Sequence, residues 1–135
     1  MQAPQILRNA IITPDGTYLR SYHRHDYKEY VDAVTNETYV VDGGNEYIRR
    51  SINEVPAENL TVTTDAPFEL QRCAFVWGSY GKHGDQPKHY IHLCDLSTDH
   101  IYAILRTQRG IDGTYVEDLF RQELIYRGEK EIQNV

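Results

Sequence analysis

The chain has 135 residues, enough for a domain with a core of its own that needs no metal or disulfide to staple it. Its 14 Lys and Arg against 20 Asp and Glu leave a net charge of -6, which argues against generic nucleic-acid binding, where cationic side chains neutralise phosphates. No apolar run is long enough for a transmembrane helix or a signal-peptide core, so the sequence predicts no membrane partner and a protein that acts inside the cell that makes it.

The predicted fold class is α+β. An N-terminal antiparallel β-meander occupies 1–55, and a mixed part over 56–135 ends in two main helices, the whole forming one compact unit. Ile6 to Ile12 and Thr17 to Tyr22 read as a hairpin closed at Thr13-Pro14-Asp15-Gly16, where Pro presets φ and Gly permits a positive one. Tyr27 to Val34 and Glu37 to Asp42 form a second strand pair around Thr35-Asn36. Gly43-Gly44 is the next turn and Glu46 to Ile52 a further strand. Asn53 to Asn59 reads as a connection, and Leu60 to Thr64 as a short strand. Asp65 and Pro67 start a short helix that runs to Cys73 or Ala74.

Three glycines and a proline between Gly78 and Pro87 mark an exposed loop over 77–89. Lys88 to Leu93 alternates as a strand. Ser97 caps a helix near 98–109, with Ile101, Ile104 and Leu105 on one face. A last helix over 114–127 carries Val116, Leu119, Phe120 and Leu124 at helical spacing, and the tail after Gly128 is predicted to fray. Tyrosine is in excess, at 11 against three Phe and one Trp, which suits sheet faces and binding surfaces. Cys73 and Cys94 follow no metal-ligand spacing and read as reduced, mostly buried thiols, with a disulfide open on parity alone.

The densest chemistry lies in His23-Arg24-His25-Asp26. In an extended segment His23 and His25 face the same side, where both reach one ion or phosphate and Asp26 orients an imidazole. The plainer reading is a polar bend. Asp42-Gly43-Gly44 is a tight turn without the Lys and helix of a phosphate loop. Arg49 and Arg50 alternate faces on the strand that follows, so that one pairs internally and the other is left for a ligand or partner. In the glycine-rich loop, Trp77, Tyr80, Lys82 and His83 form a second candidate, able to stack on a base or hold a phosphate. The plainer alternative there is a core Trp beside a mobile hairpin, and His100 reads as a structural contact.

Several ordered motifs carry a resemblance. Arg8-Asn9-Ala10-Ile11, His25-Asp26-Tyr27, Val41-Asp42-Gly43-Gly44 and Tyr47-Ile48-Arg49-Arg50 resemble an uncharacterised domain family of tailed-phage genomes. The second half resembles a segment found with it: Phe75-x-Trp77-Gly78-x-Tyr80-Gly81-Lys82-x-Gly84-x-Gln86-Pro87, then Leu96-x-Thr98-Asp99-His100-Ile101-x-Ala103-Ile104-Leu105, then Glu123-Leu124-x-Tyr126-Arg127. The resemblance implies no activity. It does imply a zinc-ribbon-like N-terminal part whose four cysteines are missing here, the aligned positions being Ile12, Asp15, Tyr30 and Asp32. Ile and Tyr cannot supply a tetrahedral thiolate site, so the resemblance predicts ribbon strands held by packing, with no zinc and no other cofactor.

Together these readings predict a phage accessory protein that acts by binding in the host cytoplasm, in host takeover or counter-defence. Its partner is either a host protein that it inhibits or a small anionic, nucleotide-like ligand that it sequesters, and a homo-oligomer is the expected assembly. Two other classes stay open. One is a metal-dependent phosphoesterase or nuclease using His23, His25 and Asp26. The other is a minor structural component of the virion.

Overall fold

The computed structural model describes residues 3–81 and 83–128; the expectations for Lys82 and for the tail after Gly128 fall outside them. The architecture is α+β, as predicted, and the chain divides into two compact units, Met1–Gln71 and Arg72–Val135.

Strand β1 (Ile6–Ile12) is the spine of the first unit. It pairs antiparallel with β2 (Tyr18–Ser21), with β6 (Glu58–Asn59) and with β7 (Val62–Thr63), the last through an irregularity between Ile6 and Arg8. A second antiparallel sheet runs β3 (Lys28–Val31), β4 (Thr38–Asp42), β5 (Arg49–Arg50). Residues 53–59 were expected as a plain connection, but β6 forms within them. Because β6 and β7 both pair with β1, the first unit continues past residue 55 to Gln71. Helix α1 (Phe68–Ala74) forms where Asp65 and Pro67 predict it. Leu7, Ala10, Ile11, Tyr39, Val41 and Val62 make a small apolar core, and it shares the interior with buried Asn9, Thr13, Asp32 and Asp42.

The polar interior explains how the two turns of the meander are held. Asp15 accepts from the Thr13 and Thr17 hydroxyls at 2.8 and 2.6 Å, from the Tyr30 hydroxyl at 2.6 Å and from Ala33 N–H at 2.8 Å. Asp32 accepts in turn from Asp15 N–H at 2.7 Å and from Val34 and Thr35 N–H at 2.9 and 2.8 Å. Three of the four positions that the resemblance equates with missing cysteines therefore do converge. The fourth, Ile12, stays in the β1 ladder opposite Tyr18 and Glu58. What joins the turns is a carboxylate network and not the packing that was expected.

The second unit opens with a hairpin of β8 (Val76–Ser79) and β9 (His89–His92). A 3-10 turn at Leu93–Asp95 leads to α2 (Thr98–Thr107), and a second at Arg109–Ile111 leads to α3 (Tyr115–Tyr126). Ser97 caps α2 through His100 N–H, as predicted, and Thr114 caps α3 through Val116 N–H. Helix α2 stops short of residue 109 because Gln108 leaves helical geometry, at φ -95° and ψ 78°, before the chain tightens. Ile101, Ile104, Leu105, Leu119, Phe120 and Leu124 are buried as their spacing requires. Phe120 takes the edges of Phe75 at 5.8 Å and Trp77 at 5.4 Å. The cysteines depart from expectation: Ala74 takes the inward place at the end of α1, so Cys73 is exposed and Cys94 half-buried.

Glu123 is fully buried on α3. Arg72 grips it with two bonds, at 2.7 and 2.8 Å, and Arg127 adds a third at 2.6 Å. Burial alone raises its pKa, but the two guanidinium groups outweigh burial and hold the carboxyl below the ordinary glutamate value. Arg127 also reaches Leu93 O and Thr98 Oγ1, and so ties the 3-10 turn and α2 to α3.

Two predictions follow from these carboxylates. Glu123→Ala leaves two guanidinium groups without their acceptor, and is expected to destabilise the second unit by roughly 3 kcal/mol in urea titration. In the first unit, hydrogen bonds from Thr17, Tyr30 and Ala33 hold the Asp15 carboxyl well below its ordinary value of 3.8. Asp32 is also lowered: burial opposes ionisation, and hydrogen bonds led by the N–H groups of Asp15 and Thr35 overcome it. Around pH 4 the folded state thus binds fewer protons than the unfolded one. The stabilisation is complete above the ordinary carboxylate value and is lost progressively as pH falls from there through the lower folded-state values. Asp15→Asn is expected to unfold more readily at pH 7 and to show a flatter acid limb when unfolding is followed by circular dichroism.

Candidate functional site

Two turns of the first unit lock together to make the site. One joins β2 to β3 through residues 22–27; the other joins β4 to β5 through residues 43–48. The Ser21 hydroxyl accepts Gly44 N–H at 2.8 Å. Gly44 has φ +56°, and a Cβ there would stand 2.5 Å from the His23 backbone, so only glycine lets the turns touch. From the other side Asn9 Nδ2 donates to Asp42 O at 2.8 Å and to Tyr47 O at 3.4 Å.

This closure brings four side chains together around the Asp42 carboxylate, which is buried. The Tyr47 hydroxyl donates to Asp42 Oδ2 at 3.3 Å, and His25 Nδ1 lies 3.0 Å from the same hydroxyl. Arg49 Nη1 stands 3.9 Å from Asp42 Oδ2 and is otherwise exposed. Asp42 Oδ1 is buried with no partner among the described groups. Tyr27 stands by the same group. Burial raises its hydroxyl pKa first, then the Glu29 carboxylate it donates to; Asp42 adds to this and Arg49 opposes it.

The hydrogen bonds fix the imidazole. The Tyr47 hydroxyl spends its one proton on Asp42 Oδ2, so its oxygen is left to accept from His25 Nδ1–H. His25 Nε2 is left as the ring atom free to meet a ligand. His25 holds a left-handed backbone, φ 62°, which turns the ring onto Tyr47. The extended segment on which His23 and His25 share a face is therefore absent. His23 is exposed, with Nδ1 3.0 Å from Arg24 O, and belongs to the outer edge of the turn.

The other predicted residues divide into framework and surface. Asp26 Oδ2 accepts Tyr22 N–H at 2.8 Å and Lys28 Nζ at 3.3 Å, which makes it a brace for its own bend. Arg24 pairs with Glu46 at 3.5 Å in solvent. Arg50 points inward: Nη2 donates to Asn9 Oδ1 at 3.0 Å, Ala10 O at 3.2 Å and Thr61 Oγ1 at 2.6 Å, and Nη1 to Asn59 Oδ1 at 2.8 Å. The two arginines do take opposite faces, and Arg49 is the outward one.

In the second unit Trp77 packs on Phe120, while Tyr80 and His83 are exposed and Lys82 lies outside the described residues. A cleft of about 750 Å³ adjoins this loop, with Ser79, Gln86, His89, Asp99 and His100 among its walls. Sequence reading took His100 as a structural contact and did not single out His89, since only the fold brings β9 and α2 to one cleft. Among the described residues no three His, Cys, Asp or Glu side chains are placed to hold a metal ion. No helix among them is long and apolar enough to cross a membrane. In comparisons with known proteins, no family model, no curated protein and no solved structure matches the chain.

The interlocking makes a direct prediction. Gly44→Ala forces a Cβ into the His23 backbone at a left-handed position, and is expected to cost roughly 2 kcal/mol or more in urea titration. It should also release the His25 ring, seen as a changed imidazole signal in NMR.

Proposed function

We propose that this is a phage accessory protein that works by binding in the host cytoplasm, and that its ligand is a small anionic, nucleotide-like molecule held at the face of His25, Tyr47 and Arg49. The observation behind this reading is the convergence of His25 and Arg49 on one Tyr47–Asp42 pair. An exposed guanidinium suits bidentate contact with a phosphate. A positioned imidazole nitrogen and the half-exposed Tyr27 ring supply a hydrogen bond and a stacking surface beside it. The site is built before any ligand arrives, because Asn9, Ser21 and Gly44 fix it from behind.

Inhibition of a host protein is the second reading, favoured by the net charge of -6, which would steer the chain to a basic patch. The phosphoesterase reading has less behind it: Asp26 stands 3.9 Å from His23 but braces its own turn, and His25 is turned onto Tyr47 instead. A homo-oligomer remains part of the proposal.

Native mass spectrometry of freshly purified protein tests the first reading, followed by titration with ADP, cyclic mononucleotides and cyclic dinucleotides, with inorganic phosphate as control. A nucleotide is expected to be retained and to be recovered intact after denaturation. Arg49→Ala is expected to weaken its binding by about tenfold or more, the worth of one charged hydrogen bond. Equal affinity in Arg49→Ala and His25→Ala would move the site elsewhere. Capture of a host protein without any nucleotide would favour the second reading, and conversion of the nucleotide would favour an enzyme.

A further inference from the structure

Two thiols far apart in sequence meet in the second unit, at a place the ligand face does not use. The β8–β9 ladder pairs Val76 with His92, and the next bond runs from Leu93 N–H to Phe75 O at 2.9 Å. That bond sets the end of α1 beside the 3-10 turn Leu93–Asp95. There Cys73 and Cys94 lie on neighbouring segments, and the Cys73 thiol acts on the titration of Cys94. Cys73 is exposed and Cys94 half-buried, and neither is in a disulfide.

We propose that Cys73 and Cys94 are a modification site, closing to a reversible intramolecular disulfide when the protein meets a peroxide. The roles of the two sulfurs differ. Burial first, and then the Cys73 thiol, push the Cys94 thiol up to about 11, so it stays protonated near neutral pH. Cys73 is the sulfur that solvent reaches. Its thiolate attacks the peroxide and breaks the O–O bond, giving a sulfenic acid and, with one proton, water. The Cys94 sulfur then attacks the Cys73 sulfur; the S–S bond forms, and the hydroxyl leaves with the Cys94 proton as a second water. The two thiols are oxidised and one peroxide is reduced to water. A thiol reductant reverses the bridge by exchange.

The bridge would fasten two segments that already meet through Glu123. Arg72, next to Cys73, grips the Glu123 carboxylate, and Arg127 links that carboxylate to Leu93, next to Cys94. Oxidation is therefore expected to raise the denaturation midpoint of the second unit.

The test is intact-mass analysis of the full chain after one equivalent of hydrogen peroxide. The expected product is a monomer that has lost its two thiol hydrogens, that regains them with dithiothreitol, and that does not form in Cys73→Ser or Cys94→Ser. In the wild-type chain, which needs no substitution to fold, closure is expected to be about tenfold faster without urea than with it, because the fold brings the sulfurs together. Oxygen added to Cys73 without loss of hydrogen, disulfide-linked dimers as the main product, or a rate unchanged by urea would each overturn the proposal.

Discussion

A buried amide is costly to leave unpaired, and Asn9 escapes that cost by binding three separate pieces of chain. Its two N–H groups hold Asp42 O and Tyr47 O, and its carbonyl oxygen accepts from Arg50 Nη2. One side chain on β1 thereby fixes both ends of the glycine turn and the strand beyond it. Tyr47 then arrives over Asp42, and His25 over Tyr47. The candidate ligand face depends on a residue that lies behind it and touches none of its exposed atoms.

Both units solve a small-core problem in the same way. A short apolar core leaves little hydrophobic stabilisation to spare, so the buried carboxylates that join its segments collect several donors each. Asp15 and Asp32 gather hydroxyls and N–H groups from two turns, while Glu123 gathers one arginine from α1 and one from the end of its own helix. The first arrangement spends neutral donors on anions, as an anion-binding turn does. The second balances charge and lets Arg127 pass the constraint on to Leu93 and Thr98.

The regular elements were legible because their signals are local. Pro67, Ser97 and the apolar spacing of Ile101 to Leu105 and of Leu119 to Leu124 predicted helix starts and faces well. Strand β7 falls inside the predicted Leu60 to Thr64, and β6 was harder. Glu58-Asn59 carries no strand pattern and pairs only because β1 offers an edge. The site was half legible. Histidine, arginine and glycine turns marked the neighbourhood, but the assumption of an extended His23-Arg24-His25 failed where His25 adopts φ 62°. The inward course of Arg50 and the meeting of Cys73 with Cys94 are facts of tertiary contact, for which no local spacing exists.

The inward turn of Arg50 bears on how a ligand would arrive. Four acceptors absorb that guanidinium, and Arg24 faces Glu46, so Arg49 is left as the cation of the face on a chain of net charge -6. A small anion approaching from afar meets a field that opposes it, and attraction takes over only within about a Debye length, roughly 8 Å at physiological ionic strength. Such an encounter is slowed by the body of the protein and favoured by its last few ångströms. Added salt then works in two directions, screening the long approach and weakening the final contact. For such a ligand, association would speed up with ionic strength while the residence time would shorten, the reverse of a site built to pull its anion in from a distance.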